Sequence, residues 1–239
     1  AARHDGFRGV DGTFAATLRA ARDARTAGLP VQVNTLVTDE TVDDLPAIAV
    51  LLPSIDILRW SLFFLIGVGR GAALRGITPA RSERLFRWLL DLERTAPFQI
   101  KTTEAMHYRR VALRRMESAG LDAAAIARTP VGRGFGVRAG NGIVFVAHDG
   151  AVHPSGFLPL AAGNVRERPL VDIYRSGELF VSLRDADAFG GKCGRCPYRL
   201  VCGGSRARAY AATGDPLASD PLCPYEPGPA TRPAWGAAA

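Results

Sequence analysis

Residues 192–210, KCGRCPYRLVCGGSRARAY, and residues 220–226, DPLCPYE, decide how this chain is read. Together they hold every cysteine of the 239-residue protein: Cys193, Cys196, Cys202 and Cys223, spaced C-x2-C-x5-C-x20-C. Four thiols gathered into two short lengths of backbone predict a four-coordinate metal site. A disulfide framework fits poorly. Cytosolic thiols stay reduced, the sequence shows no secretory segment, and a chain of this length needs no covalent staples. Four-sulfur coordination suits zinc or an iron–sulfur cluster, and spacing alone leaves that choice open. Zinc ribbons usually pair two close C-x2-C knuckles, whereas the second half here is Cys202 and then a lone Cys223. The glycines after Cys202 predict a tight turn into a short helix. Backbone amides there can approach cluster sulfides and help set a potential.

Composition narrows the class. Hydrophobic residues make up 47% of the chain, enough for a sizeable core in one or two domains. The net charge is +7, from 30 basic and 23 acidic residues. The basic residues are nearly all arginine and are interleaved with Asp and Glu rather than gathered in a stripe, so no nucleic-acid footprint is predicted. The longest apolar run, 62–68, is too short to span a bilayer, and no targeting segment is expected. The expectation is a cytoplasmic protein that binds neither nucleic acid nor membrane.

Outward from the cysteines toward the start, helices and strands alternate. Residues 13–27 predict a helix capped by Thr13, with Phe14, Leu18 and Ala21 on one face and Gly28 as its stop. Residues 30–37 and 57–66 predict apolar strands of a parallel sheet, separated by a helix over 43–52 that Pro53 ends. The 67–71 turn is no dinucleotide fingerprint, because Ala72 breaks G-x-G-x-x-G and no helix is predicted there. Thr78 and Pro79 open the next helix, with an apolar face of Leu85, Trp88, Leu89 and Leu92. A short strand from Phe98 then runs into a basic helix whose Arg109, Arg110, Arg114 and Arg115 read as a solvated face. This rhythm predicts βα units on a parallel sheet, and ligands of such sheets sit beyond the C-terminal strand ends. That placement makes Asn34, Thr35 and Arg70 candidates for ligand contacts, with Arg70 suited to a carboxylate. Lys101 and Glu104 are candidates for substrate contacts. His107 could serve as acid or base, although a solvated helical histidine is the simpler expectation.

Residues 121–128 predict a short helix. The glycine-rich 129–142 is expected to be a mobile linker and domain boundary. Residues 143–153 predict a hairpin turning at Asp149-Gly150, followed by helices over 170–176 and 178–184. The Pro/Gly/Ala-rich 227–239 is expected to be a disordered tail.

The cysteine run, its Gly-Gly-Ser-Arg-Ala-Arg-Ala-Tyr continuation and the closing Asp-Pro-Leu-Cys-Pro-Tyr-Glu resemble the SPASM/twitch extension of radical S-adenosylmethionine (SAM) enzymes. The hairpin resembles the one that packs beside the cluster in that extension. His4-Asp5-Gly-Phe-Arg8 resembles the segment after the fourth barrel strand of that family. Lys101-Thr-Thr-Glu104-Ala resembles a stretch in its heme-biosynthesis branch. The resemblance implies an α/β fold: the C-terminal half of a radical SAM (β/α) partial barrel over 1–128, then a small α+β SPASM/twitch domain over 129–226 with the hairpin and a four-cysteine metal site. It makes SAM or substrate the ligand expected at Asn34, Thr35 and Arg70. It also implies one auxiliary [4Fe–4S] cluster held by Cys193, Cys196, Cys202 and Cys223, since Arg206 and Ser155 stand where fuller members have further cysteines. That cluster would relay electrons or support the fold.

The C-x3-C-x2-C motif that binds the SAM-cleaving cluster is absent. The expectation is therefore the C-terminal fragment of an enzyme, inactive by itself for SAM cleavage. The intact enzyme is expected to use a SAM-derived 5′-deoxyadenosyl radical on a peptide or tetrapyrrole-like substrate, with ferredoxin or flavodoxin as electron donor. The alternative is a non-catalytic zinc-binding module with four cysteine ligands, or a scaffold.

Overall fold

The structure is a computed structural model that describes residues 1–133 and 136–229. It opens with helix α1 (Ala2–Arg8) and helix α2 (Thr13–Thr26). Thr13 does not cap α2. Its hydroxyl donates to Asp5 at 2.8 Å, and Gly12 takes the cap position. Asp5 instead accepts the backbone N–H groups of Gly12 and Phe14 at 2.9 and 2.7 Å. The hydrogen bond from Thr13, followed by that from Phe14, holds the Asp5 carboxyl down at about 2. A carboxylate borrowed from the preceding helix thus does what a capping hydroxyl was expected to do.

Strand β1 (Gln32–Val37), helix α3 (Leu45–Leu51), strand β2 (Arg59–Phe64), helix α4 (Pro79–Leu92), strand β3 (Gln99–Thr103) and helix α5 (His107–Ser118) follow in alternation. The three strands form one parallel sheet in the order β1-β2-β3. Side-chain alternation gives the sheet two unlike faces. One carries Trp60, Leu62, Phe64 and Val37 into a core with Leu45, Leu52, Phe86 and Leu89. The other carries the row Asn34, Ser61 and Lys101, in register across all three strands. A short 3-10 turn, Gly69–Ala73, occupies the stretch after β2 where no helix was expected.

Thr78 caps α4 by accepting the Arg81 N–H at 3.2 Å, with Pro79 in the first turn as predicted. Thr78→Ala is expected to lower stability by about 1 kcal/mol, read as a lower urea midpoint at unchanged slope.

Two short helices come next, α6 (Ala123–Ala127) and α7 (Pro130–Arg133). The described part of 129–142 is not a mobile linker. Arg138, Ala139 and Gly140 are buried, and Arg138 and Asn141 exchange backbone hydrogen bonds at 3.0 and 2.8 Å. The glycines there serve close packing: a Cβ on Gly136 would sit 2.5 Å from the Val201 carbonyl oxygen. Strands β4 (Phe145–Val146) and β5 (Ala151–His153) form the expected antiparallel hairpin, its turn closed by the Gly150 N–H on the Ala147 carbonyl at 2.9 Å. A third strand that the sequence reading missed, β6 (Gly163–Asn164), pairs with β5. Helices α8 (Leu170–Ser176) and α9 (Glu178–Arg184) match the predicted ranges. Helices α10 (Gly191–Arg195) and α11 (Arg206–Thr213) frame the cysteines. Of the expected disordered tail, 230–239 lie outside the described residues. Among the described residues no helix is long and apolar enough to cross a membrane.

Candidate metal centre

Backbone constraints position the four sulfurs. Cys193 rides on α10, a helix that tolerates only glycine at 194, where a Cβ would lie 1.9 Å from the Phe189 carbonyl oxygen. Tyr198 is anchored to α5 by its hydroxyl, which donates to Glu117 at 2.7 Å, and its carbonyl receives the Cys202 N–H at 2.8 Å. Gly203 and Gly204 are both left-handed, with φ of 65° and 67°. That conformation favours glycine, and it doubles the chain back so that Gly204 N–H reaches Cys202 Sγ at 3.5 Å. Ser205 then caps α11 by accepting the Arg208 N–H at 3.1 Å. The returning chain brings Asp220 N–H to Cys193 Sγ at 3.4 Å and delivers Cys223.

All four cysteines are free thiols, and all four line one cavity that opens to solvent. Two of the sulfurs also receive a backbone N–H: Asp220 donates to Cys193 and Gly204 to Cys202. A thiol sulfur is a weak acceptor, so amides aimed at these sulfurs suit thiolates better than thiols. Burial pushes the Cys196 thiol up to about 11 and raises Cys202 and Cys223 as well. A bound cation would reverse that preference, because ligation requires the deprotonated sulfur.

Arginines surround the cavity. Arg110 was expected on a wet face but is 1% exposed, with a bidentate pair to Glu83 at 3.1 and 2.5 Å. Its position in α5 turns it inward onto the cysteines rather than outward. Its Nε, like that of Arg138, is buried without a hydrogen-bond partner. Orphaned cationic donors beside four sulfurs fit an anionic group, and a thiolate-ligated cluster is one. Among the described residues, no group of three or more His, Cys, Asp and Glu side chains is arranged to hold a single metal ion.

The other candidate residues separate. Asn34 and Lys101 are exposed on the polar sheet face, in register on either side of Ser61. Thr35 points to the opposite face, where its hydroxyl accepts the Trp60 indole N–H at 2.9 Å. Arg70 lies exposed on the 3-10 turn. Glu104 is buried with φ of 56°, and Ser205 Oγ donates to its carboxyl at 2.5 Å. Burial raises its pKa. His107 is fully buried rather than solvated, because it sits on the inner side of α5 against Phe86.

A second cavity opens beyond the C-terminal ends of β1 and β2. Val37, Phe64, Ile77 and Leu222 line it, and Arg208 is its single charged lining residue. The sequence reading missed Ser61, Arg138, Arg206, Arg208 and Asp220 as contributors to these sites. Only the Arg-Ala-Arg run beside Cys202 carried a signal for two of them.

No family model matches the chain. It is 37% identical over 225 residues to the AdoMet-dependent heme synthase of Methanosarcina barkeri, covering 94% of this chain and 64% of that protein. The AdoMet-dependent heme synthase of Nitratidesulfovibrio vulgaris is 38% identical over 234 residues, covering 95% and 62%. The PqqA peptide cyclase of Xanthomonas euvesicatoria is 42% identical over only 65 residues, covering 27% and 18%. Among solved structures, Streptococcus suis SuiB bound to S-adenosylmethionine superposes with a TM-score of 0.62 at 16% identity, over 87% of this chain and 48% of that one. At that identity the likeness is one of fold. The chain thus spans about three fifths of the length of the heme synthases it matches.

Proposed function

The chain belongs to the radical SAM family, and from that premise we propose that it holds one auxiliary [4Fe–4S] cluster on Cys193, Cys196, Cys202 and Cys223 as part of an enzyme acting on a tetrapyrrole. One observation carries the reading: four free cysteines share one cavity, and two of their sulfurs have a backbone amide aimed at them. Zinc is disfavoured by the spacing, since zinc ribbons usually pair two close C-x2-C knuckles and Cys223 stands alone. With four cysteine ligands and no open position, the bound cluster supplies one-electron transfer rather than substrate binding.

Tetrapyrrole is preferred to peptide because the heme synthases match along 94% and 95% of the chain, whereas the peptide cyclase matches 27%. In this reading Asn34, Ser61 and Lys101 on the polar sheet face contact SAM or substrate. Residues 1–128 form part of a partial barrel, and 129–226 form a SPASM/twitch-type unit. SAM cleavage depends on cluster ligands outside these four cysteines, and a cytoplasmic ferredoxin or flavodoxin supplies the electrons.

Anaerobic reconstitution of the chain tests the core of the proposal. About four irons and four labile sulfides per chain are expected, as one cubane requires. Zinc near one per chain without sulfide would overturn it. Titration with a carboxylated porphyrin, followed by its visible absorbance, is expected to saturate. Saturable binding of a precursor peptide instead would favour the peptide reading.

A further inference from the structure

We propose that Arg138 and Arg206, which both pack over the Phe189 ring behind the cysteine cavity, set the reduction potential of the bound cluster by supplying fixed positive charge for its reduced form. The inference rests on the cluster reading above. Both side chains are buried, at 2% and 0% exposure. Their guanidinium carbons lie 5.1 and 4.4 Å from the Phe189 ring centre.

Among the described residues, all but one of their hydrogen bonds go to carbonyl oxygens. Arg206 Nη1 donates to Pro216 and Ala218 at 3.1 and 2.8 Å, and Arg138 Nη1 donates to Gly136 at 3.1 Å. Among the described residues neither forms an ion pair with a carboxylate. The nearby buried acid Asp220 is paired with Arg208 at 3.1 Å, and burial favours the neutral form of Glu104. Burial, then the charge of Arg206, pulls the Arg138 pKa down to about 10.

Two uncompensated cations packed over one ring are costly unless an anion answers them. The sulfurs are the anions within reach. Arg206 Nη2 donates to Cys193 Sγ at 3.6 Å. The Arg138 side chain packs where a Cβ on Gly203, the residue after Cys202, would be 3.0 Å away. By contrast Arg110, Lys192 and Arg199, which line the cavity, are each matched by a carboxylate, Glu83, Glu226 and Asp187. Adding an electron makes a thiolate-ligated cluster more negative. Fixed cations in a low-dielectric interior therefore stabilise the reduced form and hold the potential up.

The test is a potentiometric EPR titration of the reconstituted chain. Arg206→Gln is expected to weaken reduction about tenfold, a midpoint lower by about 59 mV for one electron. Arg138→Gln should move it in the same direction, and Arg206→Lys should move it much less. Assembled clusters with unchanged midpoints in both glutamine variants would overturn the inference. Should those variants fail to take up the cluster, wild-type chain carrying 15N-arginine decides. Pulsed EPR of its reduced cluster is expected to detect a nitrogen coupling from the Arg206 N–H on Cys193, and no coupling would overturn the inference. A wild-type chain that assembles no iron and sulfide at all removes the cluster reading and this inference with it.

Discussion

Replacing Asp220 by alanine is expected to cost about 3–5 kcal/mol of stability, the range for removing one member of a buried ion pair, and to loosen the cysteine cavity with it. Asp220 is fully buried and joins three parts of the molecule. Its carboxylate accepts the N–H of Ser205 at 2.8 Å and of Leu222 at 3.0 Å, which fixes both the start of α11 and the approach to Cys223. It pairs with Arg208 Nη1 at 3.1 Å, and Arg208 Nη2 donates to the carbonyl of Glu104 at the end of β3. Its own N–H is the donor to Cys193 Sγ.

Burial alone would raise the Asp220 pKa. Arg208, and then His107 and the two backbone donors, outweigh burial and lower it. A depressed carboxyl stabilises the fold above its unfolded pKa, and that contribution is lost as pH falls through the folded value. The alanine variant leaves Arg208, 8% exposed, without its counter-charge. Pairing Asp220→Leu with Arg208→Met should recover much of the loss, since a buried pair replaced whole is often near neutral. Urea unfolding of both variants, alongside cluster absorbance after reconstitution, provides the check. A single-variant loss below about 1 kcal/mol, the worth of an ordinary neutral hydrogen bond, would show that Asp220 is not the joint described.

That the four cysteines come together was legible in their spacing, and so was the turn after Cys202, which needs two left-handed residues and has two glycines. The strand–helix alternation of 30–118 was legible because apolar periodicity is written residue by residue. What escaped was tertiary. Arg110 and His107 lie one turn apart on a helix of basic composition, and nothing in that composition says that this turn faces inward. The 129–142 stretch has the glycine content of a linker, yet Gly136 and Gly140 are there because Val201 and Leu183 come too close for a side chain. Strand β6 is only two residues long and exists because β5 offers it an edge. Arg138 and Arg206 looked like composition, and only their shared burial against Phe189 sets them apart.

His107 gives the second large expectation, a loss of stability on mild acidification that begins well above the carboxylate range. The ring is fully enclosed, with Phe86 edge-on at 4.6 Å and Ser82 Oγ 3.4 Å from Nε2. Burial holds its pKa down to about 3, and the attraction of Asp220, 4.0 Å from Nδ1, does not make up the difference. The ring is therefore neutral in the fold, while in the unfolded chain it titrates near 6.5. Between those values only the unfolded state takes the proton. The stabilisation is then complete above about pH 6.5 and declines as pH falls, by about 1.4 kcal/mol per unit.

From pH 6.5 to 5 the expected loss is about 2 kcal/mol, visible as a lower urea midpoint at pH 5 than at pH 7. Asp220 does not confuse that window, because its lowered pKa places its own loss further down. His107→Gln, which cannot titrate, should be less stable at pH 7 through lost packing yet lose about 2 kcal/mol less between pH 7 and 5. Equal pH slopes in the two proteins would mean that the ring is charged or solvated in the fold, and the enclosed neutral histidine would have to be given up.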